Sequence, residues 1–319
     1  MPGSYCYLQK RIVPLEEAKL GVMTHAFLYG TAVFEGVRGN WSEEQGATLI
    51  FRPLEHFQRL KRSAHIMHIG LPQGAEELSD ICAQVVERCG YREDVYIRPI
   101  AYKSGEVIGP RLDGVESDFM LFAIPFGNYL DLDAGIRCQT STWRRVPDTA
   151  IPARAKVNGL YVNSALAKTE AIENGYDEAI MLNDDGTIAE GSGENLVIVR
   201  HGKLIAPARA DNALEGITLE SVFTLAKEEL GLDVIERSIA RSELYIADEC
   251  FLTGTAAHLS PVTEVDRRAV GSGGIGPITK QLQKLFFDVL KGRNPKYAHW
   301  VRAVKPAAEP AAAAARANA

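Results

Sequence analysis

Between Glu178 and Pro207 the chain reads EAIMLNDDGTIAEGSGENLVIVRHGKLIAP, short β-rich runs separated by turn signals at Asp185-Gly186 and His201-Gly202. Turns this tight leave no room for a helix between the runs. The stretch therefore breaks the regular strand–helix alternation of a doubly wound sheet. Helical patterns do occur on either side of it. One begins after Arg52-Pro53, with Leu54, Phe57, Leu60, Ala64 and Met67 at steps of three or four, and ends near Gly70-Leu71-Pro72. Others run from Ala75 to Arg88, Tyr161 to Asn174, Thr218 to Leu230 and Ile278 to Leu290, the first three stopped by Gly90, Gly175 and Gly231. Val95–Ala101, Asp118–Ile124 and the run around Phe251–Leu252 read as strands. The sum is an α+β chain.

At about 100–200 residues per domain, 319 residues suggest two domains. The connector PFGNYLDLDAG places the boundary: 1–126 as a small N-terminal domain, 127–136 as linker, 137–304 as a larger domain and 305–319 as a low-complexity tail. With 35 basic and 41 acidic side chains the net charge is −6, which argues against a nucleic-acid partner. No apolar stretch of about 18 residues is present, so no membrane span is expected. The opening MPGSYCYLQKR lacks the apolar core of a signal peptide. Five scattered cysteines without C-x-x-C spacing read as reduced thiols of a cytoplasmic protein.

Some attractive motifs fail on context. GSGGIG (Gly271–Gly276) fits the dinucleotide fingerprint, but the chain is nearly finished there and no second strand follows. A tight glycine turn before a helix is the better reading. His65 and His68 lack further ligands, and no metal site is expected. Other segments gain weight as a group. IPARAKVNGLYVNS holds Lys156 with no carboxylate, and an acidic neighbour would keep such an amine charged and un-nucleophilic. AEGSGENLVIV sets Glu190 and Glu194 around two glycines before a strand. LEGITLESVF places Gly216, Ile217 and Thr218 at a helix start, where free backbone N–H groups suit a phosphate. FLTGTAAHLSP follows a strand with Gly254, Thr255, Ala256 and Ala257, small enough for a ligand to reach the backbone. If YGTAVFEGVRG and YIRP are strands, a period of two puts Phe34, Gly36 and Arg38 on one face and Tyr96 with Arg98 on another. A phenol beside a guanidinium is a natural carboxylate clamp. Arg154 reads only as an exposed loop position.

With these segments in order, the lysine followed 34 positions on (156 to 190) by EGSGEN, then GIT and GTAA, the chain resembles the branched-chain amino acid aminotransferases from about Val22 to Val301. The resemblance implies the two-domain D-amino-acid-aminotransferase-like fold (fold type IV), a small N-terminal α/β sandwich and a larger domain with a β-barrel-like core. It implies pyridoxal 5′-phosphate as cofactor, with Lys156 as internal aldimine and proton carrier. Glu190 would face the pyridine nitrogen and Tyr161 the ring's phenolic oxygen. Arg59, Ile217, Thr218 and Thr255 would hold the phosphate, and Glu194 would stand near the ring. Phe34, Arg38, Tyr96, Arg98, Phe126, Tyr129, Thr255 and Ala256 would form the substrate pocket. Tyr29 would be lent by a neighbouring subunit, so at least a homodimer is implied, and a trimer of dimers is left open. Phe126 stands where a tryptophan is common, and His258 where glutamate is usual. Rival readings are a D-amino-acid or (R)-amine transaminase, aminodeoxychorismate lyase, and more remotely a nicotinamide-dependent oxidoreductase.

Overall fold

The computed structural model describes residues 3–127 and 130–307. Tyr129, placed at the substrate pocket by resemblance, lies outside them, as does most of the tail. The first half forms β1 (Tyr5–Leu8), β2 (Arg11–Pro14), α1 (His25–Tyr29), β3 (Ala32–Phe34), β4 (Val37–Ser42), β5 (Ala47–Phe51), α2 (Pro53–Ile66), α3 (Ala75–Cys89), β6 (Val95–Lys103) and β7 (Ser117–Pro125). The second half adds β8 (Ile136–Thr140), α4 (Tyr161–Glu173), β9 (Glu178–Leu182), β10 (Ile188–Gly191), β11 (Asn195–Arg200) and β12 (Lys203–Ala206). It continues with α5 (Ile217–Leu230), β13 (Val234–Glu236), β14 (Glu249–Gly254), β15 (His258–Val265), β16 (Arg268–Ala269), α6 (Pro277–Leu290) and β17 (Val301–Val304).

Among the described residues the first sheet has eight antiparallel strands in the order β17-β5-β4-β6-β7-β1-β2, with β3 also on β6. Helices α2 and α3 cover one face, packing Phe57, Leu60, Leu78 and Val85 on Val37, Ile97 and Leu121. The second sheet has nine strands in the order β10-β9-β8-β15-β14-β11-β12-β13, with β16 on β15. Its residues alternate between two cores, as a strand's period of two requires. Leu196, Ile198 and Leu252 face a curled interior with Ile180 and Val262, whereas Val197, Val199 and Phe251 meet α5 and α6. Parallel pairs join β8 to β9 and β15, so short turns account for only part of the sheet.

Two features were outside the sequence reading. Strand β17, at the chain's far end, returns to the first sheet beside β5. Phe51 of β5 in turn packs edge-on against Phe286 of α6, with ring centres 5.5 Å apart, so the two sheets share a joint. The stretch from Tyr29 also divides: Tyr29 closes α1, and β3 begins two residues after Gly30. β3 and β4 keep one register against β6, Phe34 opposite Ile100 and Val37 opposite Ile97. Pro99 lies between those partners and has no N–H to donate, which explains the break at Glu35–Gly36.

Gly271–Gly276 is a turn that leads into α6. The Glu249 carboxylate already occupies that helix start, accepting from the N–H of Ile278 at 3.0 Å and of Thr279 at 2.8 Å. An anionic dinucleotide would meet a carboxylate there, which removes the physical basis of the nicotinamide reading.

Candidate active site

A cavity of about 430 Å³ opens between the two sheets. Its first wall is the uncovered face of the N-terminal sheet. Because β3–β4, β6 and β7 are in register, Phe34 and Gly36 stand beside Arg98 and Tyr96, and these beside Phe122 and Ile124. Gly36 is required by close approach: a Cβ there would run into the Tyr96 hydroxyl. That hydroxyl accepts from Arg98 Nη2 at 2.9 Å, and the Arg98 guanidinium lies 4.3 Å from the centre of the Phe34 ring. The phenol and guanidinium paired in the sequence reading thus meet at the cavity. Phe126 closes the same wall, its ring 5.3 Å from that of Tyr96.

Lys156 enters from the segment before α4. Its carbonyl accepts from the N–H of Phe34 at 3.0 Å and its N–H donates to Ser63 Oγ at 3.2 Å, so both β3 and α2 fix its backbone. Its Nζ lies 2.6 Å from Tyr161 Oη and 5.0 Å from the centre of the Phe34 ring. Among the described residues no carboxylate pairs with it. Arg154, two residues earlier, does have an acid: its Nε is 3.4 Å from Glu215 Oε1. Sequence could not show this, because Glu215 lies far along the chain.

The second sheet and α5 supply the other wall. Glu190 of β10 is buried and lines a small recess of about 30 Å³ beside Lys156 and Tyr161, with Oε1 2.6 Å from Arg145 Nη2. Its Oε2 accepts from Asn195 Nδ2 at 3.2 Å and the N–H of Leu214 at 3.0 Å. The sequence reading missed Arg145, one of two arginines in TWRR with nothing local to single it out. Glu194 lies in the next turn, its Oε2 accepting from the N–H of Gly193 at 3.0 Å. Burial first, and then the Glu178 charge, pushes its carboxyl well above the ordinary range.

At the far end Gly216 precedes α5, and Ile217 and Thr218 line the cavity with Thr255 and Ala256. The first N–H groups of a helix have no intrahelical acceptor and favour an anion. Gly216 leaves room for the Asn195 amide, where a Cβ would not fit. Arg59, from α2, reaches the same end.

One residue expected at the pocket stands away from it. Arg38 is 2 % exposed and lies behind Phe126, with its guanidinium 5.1 Å from that ring's centre and Nη2 donating to the Gly127 carbonyl at 2.9 Å. Tyr29 is on the surface, its hydroxyl accepting from the N–H of Gly109 at 2.9 Å. His258, buried against Phe286 and Phe287, has its imidazole drawn down to about 3 by burial and the Arg38 charge.

The residues fit pyridoxal 5′-phosphate. Arg59, the α5 start and two threonine hydroxyls form one anionic-group end. An amine and a phenol line the cavity and a buried carboxylate lines the small recess beside them, the groups that an aldehyde, a phenolate and a pyridine nitrogen need as partners. Thr253 Oγ1, buried at the cavity lining, lacks a protein partner.

A family model described as amino-transferase class IV matches residues 32–265. A probable branched-chain-amino-acid aminotransferase of Aquifex aeolicus is 50 % identical over 300 residues, covering 94 % of this chain and 96 % of that protein. The branched-chain aminotransferase of Thermoproteus uzoniensis with norvaline superimposes with a TM-score of 0.90 at 43 % identity, covering 94 % of this chain and 99 % of that one. The Thermobaculum terrenum enzyme in its PLP form gives 0.90 at 37 % identity, over 95 % and 98 %.

Proposed function

The chain belongs to the class IV aminotransferases, and on that premise we propose that it exchanges amino groups between L-leucine, L-isoleucine or L-valine and 2-oxoglutarate. Its fold is that of fold type IV, and its cofactor is pyridoxal 5′-phosphate. The observation that carries the reading is Lys156 Nζ at 2.6 Å from Tyr161 Oη, free of any carboxylate partner among the described residues and facing an anion end built by Arg59 and α5.

Bound there, the cofactor supplies an aldehyde that takes the amino group and a protonated ring that draws electrons from the substrate's Cα. Lys156 is the nucleophile that holds it and the base that takes the Cα proton. Tyr161 orients that amine through its hydroxyl. Glu190, ion-paired with Arg145, would hold a proton on the ring nitrogen, and Glu194 stiffens the adjoining turn. Arg59, Thr218, Thr255 and the N–H groups of Ile217 and Thr218 hold the phosphate.

Phe34, Phe126 and Ala256 give branched side chains an apolar surface and exclude water. Arg98 takes the second carboxylate of glutamate, while Tyr96 and the Thr255–Ala256 backbone hold the α-carboxylate. Arg38 acts from behind Phe126. Residues 1–126 and 137–304 are the two domains of this reading, with β17 handed back to the first. Val22, Phe27, Tyr29 and Ile108 expose apolar surface on the N-terminal half, which supports a second copy seated there and Tyr29 lent to its cavity. The five unpaired, buried cysteines support a reducing, cytoplasmic setting.

A substrate panel tests the assignment. L-leucine with 2-oxoglutarate is expected to give L-glutamate by ping-pong kinetics. Activity with D-alanine or (R)-1-phenylethylamine, and none with L-leucine, overturns it.

A further inference from the structure

Glu35 sits between β3 and β4, its side chain on the face opposite Phe34 and Gly36, wholly buried. A carboxylate in such a place is costly unless it is paired and hydrogen-bonded. One helix supplies every partner. Arg59 Nε and Nη2 donate to its two oxygens at 2.7 Å each, and His56 Nδ1 lies 2.8 Å from Oε2. His56 and Arg59 are three apart on α2, hence on one face of it. The Glu35 N–H donates to the Pro99 carbonyl at 2.9 Å, so β6 fixes the backbone beneath the carboxylate.

Burial alone would raise the Glu35 carboxyl, but the Arg59 charge and hydrogen bonds, with that of His56, hold it down at about 2. Burial draws His56 below its ordinary value. The imidazole is therefore neutral, its Nδ1 proton directed at Glu35, and its buried Nε2 has no partner. The three side chains sum to no net charge.

A guanidinium has five N–H groups in one rigid plane. Glu35 engages two of them and the Glu215 carbonyl, at 2.7 Å from Nη1, a third. One N–H on Nη1 and one on Nη2 are left over, and Arg59 lines the cavity beside Thr218 and Thr255. Nothing else among the described residues bonds this guanidinium.

We propose that Glu35, braced by His56, is a positioning residue for the cofactor's phosphate: it locks the Arg59 guanidinium plane so that its two remaining N–H groups face the anion end of the cavity. The inference rests on the cofactor reading above. It opposes what charge alone dictates. Glu35 cancels the Arg59 charge, so an arginine acting as a point charge binds a phosphate better without Glu35. An arginine that must be aimed binds it worse.

The test compares pyridoxal 5′-phosphate with pyridoxal, which lacks the phosphate, on full-length protein stripped of cofactor. Affinity is read from absorbance, and attachment at Lys156 from borohydride trapping and peptide mapping. The ratio of the two affinities reports the phosphate's share alone. Glu35→Gln is expected to lower that ratio on the order of tenfold or more, the range for a charge-assisted, oriented hydrogen bond. Glu35→Asp keeps the charge but falls one methylene short of Arg59, and is expected to lower the ratio in the same direction. In an Arg59→Lys background, where no fork exists to aim, Glu35→Gln should change it less than about twofold. An unchanged or higher ratio in Glu35→Gln and Glu35→Asp overturns the proposal. So does an equal loss of both affinities with a lowered melting temperature, which marks a merely structural role. A wild-type protein that attaches neither compound at Lys156 overturns the cofactor reading itself.

Discussion

Removing Arg145 isolates what the buried carboxylate at Glu190 depends on. The Arg145 side chain is 5 % exposed and that of Glu190 8 %, with Nη2 and Oε1 2.6 Å apart. In Arg145→Met the carboxylate keeps two donors, Asn195 Nδ2 and the Leu214 N–H, but loses its cation. Stripping one partner from a buried pair costs about 3–5 kcal/mol. The two surviving hydrogen bonds put the expected loss near the lower end, about 3 kcal/mol. At roughly 2 °C per kcal/mol for a chain of this size, that is a fall of about 6 °C in melting temperature. Thermal unfolding of cofactor-free protein, followed by circular dichroism, measures it without interference from the ligand. The double variant Arg145→Met with Glu190→Gln removes the stranded charge and is expected to recover at least half of the lost stability, because the remaining amide needs no cation. Activity should not recover with it: a neutral amide cannot hold a proton on the ring nitrogen, and kcat is expected to stay down on the order of a hundredfold or more. A double variant no more stable than the single one refutes the ion pair as the reason Arg145 is there.

Two further outcomes follow from the same geometry. Arg98→Gln is expected to lower kcat/KM on the order of a hundredfold for L-glutamate while leaving L-leucine within a few-fold, because only glutamate carries the second carboxylate; half-reaction absorbance with each amino acid separates them, and equal losses remove Arg98 from that role. Glu35 makes the protein acid-sensitive: a carboxyl held at about 2 in the folded chain binds fewer protons than in the unfolded one, so its stabilisation is present above the ordinary carboxylate range and is lost as pH falls towards 2. Between pH 5 and pH 3 this contribution should shrink by about 2 kcal/mol, and urea unfolding of Glu35→Gln should lack that part of the pH dependence.

The order of motifs was readable because each rests on local chemistry. Arg52-Pro53 starts α2, Gly231 stops α5, and the glycines around Ser192 and before Ile217 mark turns where a ligand meets backbone. The period of two was enough to bring Phe34 and Gly36 to one wall, since Pro99 interrupts the ladder without shifting its register. Contacts between distant segments were not readable. Arg145 finds Glu190 across a loop, Arg154 finds Glu215, and β17 crosses back to β5. Arg38 shares its strand face with Phe34 but is covered by Phe126, which periodicity cannot register. Glu35 was passed over, although a period of two sets it on the face opposite Phe34 and Gly36, and only the structure shows that helices cover that face.

The central claim is that Lys156 is the amine on which the chemistry turns. Its most direct measurement is the visible spectrum of the purified protein before and after L-leucine, with Lys156→Ala alongside. The account predicts a coloured wild type that L-leucine bleaches and 2-oxoglutarate restores, and a variant unable to complete multiple turnovers. A Lys156→Ala protein that turns over L-leucine repeatedly, or a wild type that is colourless and indifferent to borohydride after incubation with pyridoxal 5′-phosphate, contradicts it.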